Sequence, residues 1–226
     1  MKNIILSILL TAANYAFAQN VILSRADFSQ GTAFSAMVNS AKTGKSLTYS
    51  EVAGSPYANV NFSKAKIAEN YEKIAARYNS YADQIEFQKD GTVMILPKDS
   101  KFSRIEIESP KQILVNLETN DELSGYFYEI VNGKVALYTK LKTIFIDAKP
   151  ASNSYSSDEP ALFKLLDPVF YIKTDGGFIK KPRNQKEVIA QFPDKKDVLS
   201  TFFKENKIKF DKEEDLKKLV VFINNN

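Results

Sequence analysis

Residues 62–87 read FSKAKIAENYEKIAARYNSYADQIEF, and two periods compete in them. Ile67, Tyr71, Ile74, Tyr78, Tyr81 and Ile85 recur at steps of four and three. That is the spacing of one helix face, and Ala, Glu and Lys abound. Against it, Ile74, Ala76 and Tyr78 alternate, and so does the stretch Asp83-Gln84-Ile85-Glu86-Phe87. Asn79-Ser80 and Ala82-Asp83 are poor helix interior, because their short polar side chains compete for backbone groups. The alternation predicts strands and a mainly β chain. One continuous helix over residues 64–86 would overturn that reading.

Downstream the β signal stands alone. Asp90-Gly91 is a hairpin turn between strands at 84–88 and 92–96. Residues 97–100 turn the chain again. Strands are expected at 104–108 and 112–117, with Pro110 between them. Those at 125–131 and 134–142 flank Asn132-Gly133, the strongest short hairpin signal in the chain. Residues 147–159, DAKPASNSYSSDE, form a long polar loop. A last hairpin, 170–174 with 178–180, turns at Asp175-Gly176-Gly177. Such regular spacing predicts an antiparallel meander, closed or nearly closed into a sandwich or barrel. Upstream, short strands are expected at 21–23 and 34–38.

The character then changes. Asn184-x-x-Glu187 has capping-box form before a short helix. Pro193-Asp194 opens a second, with Val198, Leu199, Phe202 and Phe203 on one face. Asp211 to Glu214 cap a third, which carries Leu216, Leu219, Val220 and Ile223. The expected organisation is a signal peptide at 1–18, a β-rich domain at 19–183 and a helical C-terminal appendage at 184–226.

Composition restricts the chemistry. The chain has no Cys and no His. Thiolate or imidazole metal sites are excluded, as are Ser-His and Cys-His nucleophile arrangements. No cofactor is expected. The N-terminus, MKNIILSILLTAANYAFAQN, has Lys2, an apolar run and Ala16-Phe17-Ala18 as a small-x-small cleavage site. It reads as a signal peptide cut after Ala18, which predicts a periplasmic or secreted protein. Losing Lys2 turns 31 basic residues into 30 against 27 acidic, a net +3. That mild excess does not point to nucleic acid. No later run is apolar over the twenty or so residues a membrane span needs.

Two motifs tempt. Residues 39–46, NSAKTGKS, miss a phosphate-binding loop by Asn39, and 142–147, KTIFID, imitate its magnesium-binding strand through Asp147. A helix must follow such a loop, yet LTYSEVAGSP favours strand and turn. The expected structure is a plain turn at Thr43-Gly44-Lys45. Ser63-x-x-Lys66 and Lys42-Thr43-Gly44 echo penicillin-binding enzymes, but in reversed order. The acidic run Asp211, Glu213, Glu214, Asp215 lacks calcium-loop spacing and suits a helix N-terminus. Lys180, Lys181 and Arg183 form a small basic patch after the last hairpin.

The remaining candidates for binding are Arg77, Tyr78, Tyr81, Asp83 and Glu86. Carboxylates beside tyrosines could work on a polysaccharide, and cross-strand ion pairs are the plainer alternative. Gly54-Ser55-Pro56-Tyr57, followed by Arg77-Tyr78-Asn79-x-Tyr81-x-Asp83-x-Ile85-Glu86-Phe87, resembles a pattern in an uncharacterised family of exported Bacteroidetes proteins. The resemblance implies strands around residues 77–87 and supplies no activity, substrate or catalytic residue. A non-enzymatic binding or envelope-interaction protein is the expected class, with an envelope glycan or protein as partner. A carboxylate-based glycan hydrolase and a lipocalin-like carrier of an apolar ligand are the rivals.

Overall fold

The computed structural model describes residues 37–151, 153 and 157–226. The expected signal peptide at 1–18, the expected strand at 21–23 and the 34–36 part of the one expected at 34–38 lie outside them. In the deciding segment the alternation wins. It forms β3 (Ser63–Lys66), β4 (Ile74–Asn79) and β5 (Gln84–Lys89). The helical spacing has a separate cause. Residues 67–73 connect two strands, and Ile67, Tyr71 and Ile74 turn into the same core as Tyr78 and Ile85.

The other strands follow as hairpins. β6 (Thr92–Ile95) returns from β5 through Asp90 and Gly91, both at positive φ as a tight hairpin turn requires. β7 (Arg104–Ile107), β8 (Gln112–Leu117), β9 (Gly125–Val131) and β10 (Ala136–Lys140) come next, then β13 (Val169–Thr174) and β14 (Gly177–Lys180). They join one ten-stranded antiparallel sheet in the order β14-β13-β10-β9-β8-β7-β3-β4-β5-β6. Two hairpins stand beside it. One is β1 (Met37–Asn39) with β2 (Ser46–Thr48), the other β11 (Thr143–Ile146) with β12 (Leu162–Leu165). The second turns the expected polar loop into a hairpin connection, pinned where Lys149 and Glu159 exchange backbone bonds of 2.8 Å.

The turn at Asn132-Gly133 is longer than its sequence suggests, since β10 starts only at Ala136. Asn224 supplies the reason. Its side-chain amide accepts from Val135 N at 2.9 Å and donates to Val135 O at 2.8 Å, standing in for a strand partner.

No sheet among the described residues closes, and β14 and β6 are the edges of the large one. It curls strongly all the same. β4 and β9 lie four places apart, about 19 Å in a flat sheet. Yet the Tyr78 ring lies 6.3 Å from Tyr126 and 5.8 Å from Tyr128. Inside this curl Ala76, Ile85, Phe87, Phe102, Ile105, Leu114 and Tyr126 are all but inaccessible to solvent and form one cluster. The interior is a packed core.

The same face continues past β9, where the helices cover it. These are α1 (Gln185–Gln191), α2 (Lys196–Glu205) and α3 (Glu213–Asn225). Val188, Leu199, Phe202, Leu216, Leu219, Val220 and Ile223 pack on Leu137, Phe170, Ile172 and Ile179. Ile130 touches both clusters and joins the two halves. Asn184 caps α1 as its sequence implies, accepting from Glu187 N at 3.1 Å. The third helix differs from expectation. Lys212 is its N-cap, and Asp215 reaches back to accept from Lys209 N at 2.9 Å. Among the described residues no helix is long and apolar enough to cross a membrane.

Candidate functional site

The five candidate residues lie around one corner, the turn between β4 and β5. Asn79 builds that turn. Its Oδ1 accepts from Tyr81 N (3.1 Å) and Ala82 N (2.9 Å), a side-chain imitation of a backbone turn. Asp83 then takes a positive φ of 54°, which Asp tolerates better than most residues.

The corner sorts the candidates onto two faces. Arg77 pairs across the strands with Glu86, facing away from the curl, while Tyr78 points inward. Glu86 is fully buried. It accepts from Arg77 Nε (2.8 Å), Asn79 Nδ2 (2.8 Å) and the Tyr57 hydroxyl (3.3 Å). Arg77 also donates to Tyr57 Oη (2.6 Å) and Val60 O (2.9 Å), its guanidinium lying 3.7 Å from the Tyr57 ring centre. Burial, then the Glu86 charge, push the Tyr57 phenol up, although Arg77 opposes them.

Asp83 belongs to the inner network. It accepts from the Tyr78 hydroxyl (2.7 Å), Lys140 Nζ (2.7 Å), Lys98 Nζ (2.5 Å) and Tyr126 N (3.2 Å). Burial alone would raise its carboxyl, but Lys140, Lys98 and Tyr78 together hold it below the ordinary value. Burial pushes the Lys140 ammonium down, and Asp83 partly restores it. Asp83 therefore stays ionised at neutral pH. Tyr81 sits apart, edge-on to Tyr49 and Phe163 in a smaller cluster.

Asp83 and Glu86 thus do not face a common space. Each carboxylate is saturated by its own cation and donors. The Gly54–Tyr57 half of the pattern docks here too, since Pro56 O accepts from Tyr81 N (3.1 Å) and Ser80 Oγ (3.0 Å). The segments 54–57 and 77–86 therefore build one polar corner.

The near-miss loop is resolved in the same way. β2 follows Ser46 where a phosphate-binding loop needs a helix. Asp147 does approach the loop, but as a clamp, accepting from Ser40 Oγ (2.7 Å) and Lys42 N (3.0 Å). A carboxylate already holds the donors a phosphate would use. Ser63 and Lys66 lie on β3, and no cluster of three or more acidic side chains fit to hold a metal occurs among the described residues.

The basic patch divides. Lys180 is committed, at 3.2 Å from Asp121 and 2.7 Å from Glu122. Burial would raise the Asp121 carboxyl, but the Leu123 N–H, Tyr171, Thr119 and Lys180 bring it down to about 2. A depressed folded value means that the contribution of Asp121 is fully present above the ordinary 3.8 and disappears as pH falls towards 2. Denaturant midpoints of wild type and Asp121→Asn will differ by a constant amount from pH 7 to 5 and converge towards pH 2. A gap that stays constant as the pH falls from 3.8 to 2 contradicts the assignment.

Lys181 and Arg183, by contrast, line a cleft of about 780 Å³ between the end of β14 and the start of α3. Phe170 and Phe210 contribute its apolar surface, and Asp167, Asp211 and Lys212 complete its charged rim. None of these five charged side chains forms an ion pair among the described residues, although both signs share one cleft. Lys181 also holds a positive φ of 49° just before the buried Pro182. Sequence reading found Lys181 and Arg183 as a charge run. It missed Asp167, Phe210 and Lys212, which come from other segments and carry no local pattern. No protein-family model, curated protein or solved structure matches the chain.

Proposed function

We propose that the chain is an exported binding protein of the cell envelope that acts without catalysis and holds a glycan or protein partner on its surface. The leader-like residues 1–18 motivate export to the periplasm or the outside. The curl of β3 to β9 supports a barrel-like reading of that half of the sheet.

The observation that carries the proposal is the cleft beside α3. It has the size of a small-ligand site and brings charges of both signs together without pairing them. The hydrolase reading needs two carboxylates facing one sugar, and Asp83 and Glu86 point to opposite faces. A carrier needs an internal apolar cavity, and the curl is filled.

Co-sedimentation with insoluble envelope material, together with an assay for released reducing ends, tests the proposal. Retention without release is expected. Release of new reducing ends, abolished in Asp83→Asn or Glu86→Gln, would transfer support to the hydrolase.

A further inference from the structure

The cleft specifies more than binding. We infer that it receives an acidic carbohydrate, a short oligosaccharide carrying carboxylates; this rests on the binding-protein reading above. Lys181, Arg183 and Lys212 supply three cations at its rim, while Lys180, one residue away, is already neutralised by Asp121 and Glu122. Unpaired cations at a concave site favour an anion, and the Arg guanidinium matches a carboxylate edge with two parallel donors.

Asp167 and Asp211 narrow the class. Among the described residues neither carboxylate accepts from a side chain or backbone donor, so a ligand that offers donors suits them. Sugar hydroxyls meet that need. A purely acidic peptide would set its own carboxylates against them. Phe210, half-buried at the same cleft, offers a ring on which the apolar face of a pyranose can lie. Anion, hydroxyl donors and a flat apolar face on one small molecule describe a sugar acid. The volume, about 780 Å³, accommodates two or three such units.

The geometry at Lys181 provides an unusually clean variant. A non-glycine residue at positive φ is strained, so Lys181→Gly removes the cation and relaxes the backbone at once. Its melting temperature will equal or exceed that of wild type, and weaker binding then has no origin in unfolding.

The test is calorimetric titration of the full chain with trigalacturonic acid, with its methyl ester and with hexaglutamate as controls. Trigalacturonate binds. Lys181→Gly and Arg183→Gln each weaken it about tenfold or more, as expected for a lost hydrogen bond to a charged group. The ester and hexaglutamate bind at least tenfold more weakly than trigalacturonate. No binding of trigalacturonate at millimolar concentration overturns the inference. So does unchanged affinity in both variants, or hexaglutamate or the ester binding as tightly as the acid. Chromatography of the titrated samples keeps the two readings separate. Intact trisaccharide is expected, and shortened products would sink the non-catalytic reading while leaving the ligand class standing.

Discussion

Glu86→Ala lowers the folding free energy by about 3–5 kcal/mol, the cost of leaving one partner of a buried ion pair alone. The size follows from what surrounds the pair. Glu86 is inaccessible to solvent, and the Arg77 side chain is only 17% exposed. Without the carboxylate, Arg77 Nε and Asn79 Nδ2 both lose their acceptor, and the Tyr57 hydroxyl loses the group it donates to. Water reaches the guanidinium poorly, because it lies against the rings of Tyr57 and Phe62. Urea denaturation at pH 7 measures the loss. The double replacement Arg77→Met with Glu86→Leu recovers most of it, since a buried pair gains little over well-packed apolar groups. A single-variant loss below about 1 kcal/mol would mean that the corner rearranges to hydrate Arg77.

Gly125→Ala comes second, at about 3–5 kcal/mol. Gly125 opens β9 at a φ of +136°, a region that residues with a Cβ rarely enter. An added Cβ would overlap Oδ2 of Asp83. That carboxylate cannot swing aside freely, because Lys140, Tyr78 and the Tyr126 amide all hold it. If Asp83 moves, Lys140 remains as an ammonium only 4% exposed, with Tyr126 O as its other hydrogen-bond partner. Adding Lys140→Met to the variant should therefore cost less than the two single effects summed. Full additivity would show that β9 shifts and the ion pair survives.

Much of the fold was legible where period and turn chemistry agreed. Asp90-Gly91 and Asp175-Gly176 mark their hairpins, and Leu216, Leu219, Val220 and Ile223 form the buried face their spacing implies; on the second helix Leu199 and Phe202 are buried as expected, whereas Val198, expected on the same face, is exposed. Residues 62–87 were harder, because connecting residues such as Ile67 and Tyr71 bury the same face as the strands. Two further features left no local trace. Asn224 reshapes a turn from 89 residues away, and β12 finds β11 across a long polar stretch. The candidate site was legible in type but not in place. Cross-strand ion pairing among Arg77, Asp83 and Glu86 is the plainer expectation from the sequence, and Arg77 with Glu86 forms such a pair, buried rather than on a half-exposed sheet. The tertiary fold alone decides that Asp83 points to the other side and that Lys212 lines the same cleft as Lys181.

The staple at Asp83 also governs when the molecule can finish folding. Tyr78 meets the Tyr126 carbonyl across 48 residues, and Lys140 meets Asp83 across 57. Hairpins such as β5–β6 can zip in microseconds, but these distant contacts repay their loop-closure entropy only after the ribbon has rolled up. High contact order of this kind places refolding in the millisecond-to-second range. Until rolling is complete, apolar strand faces stay open to pairing with other chains, so dilution protects the nascent molecule more than any single late contact does.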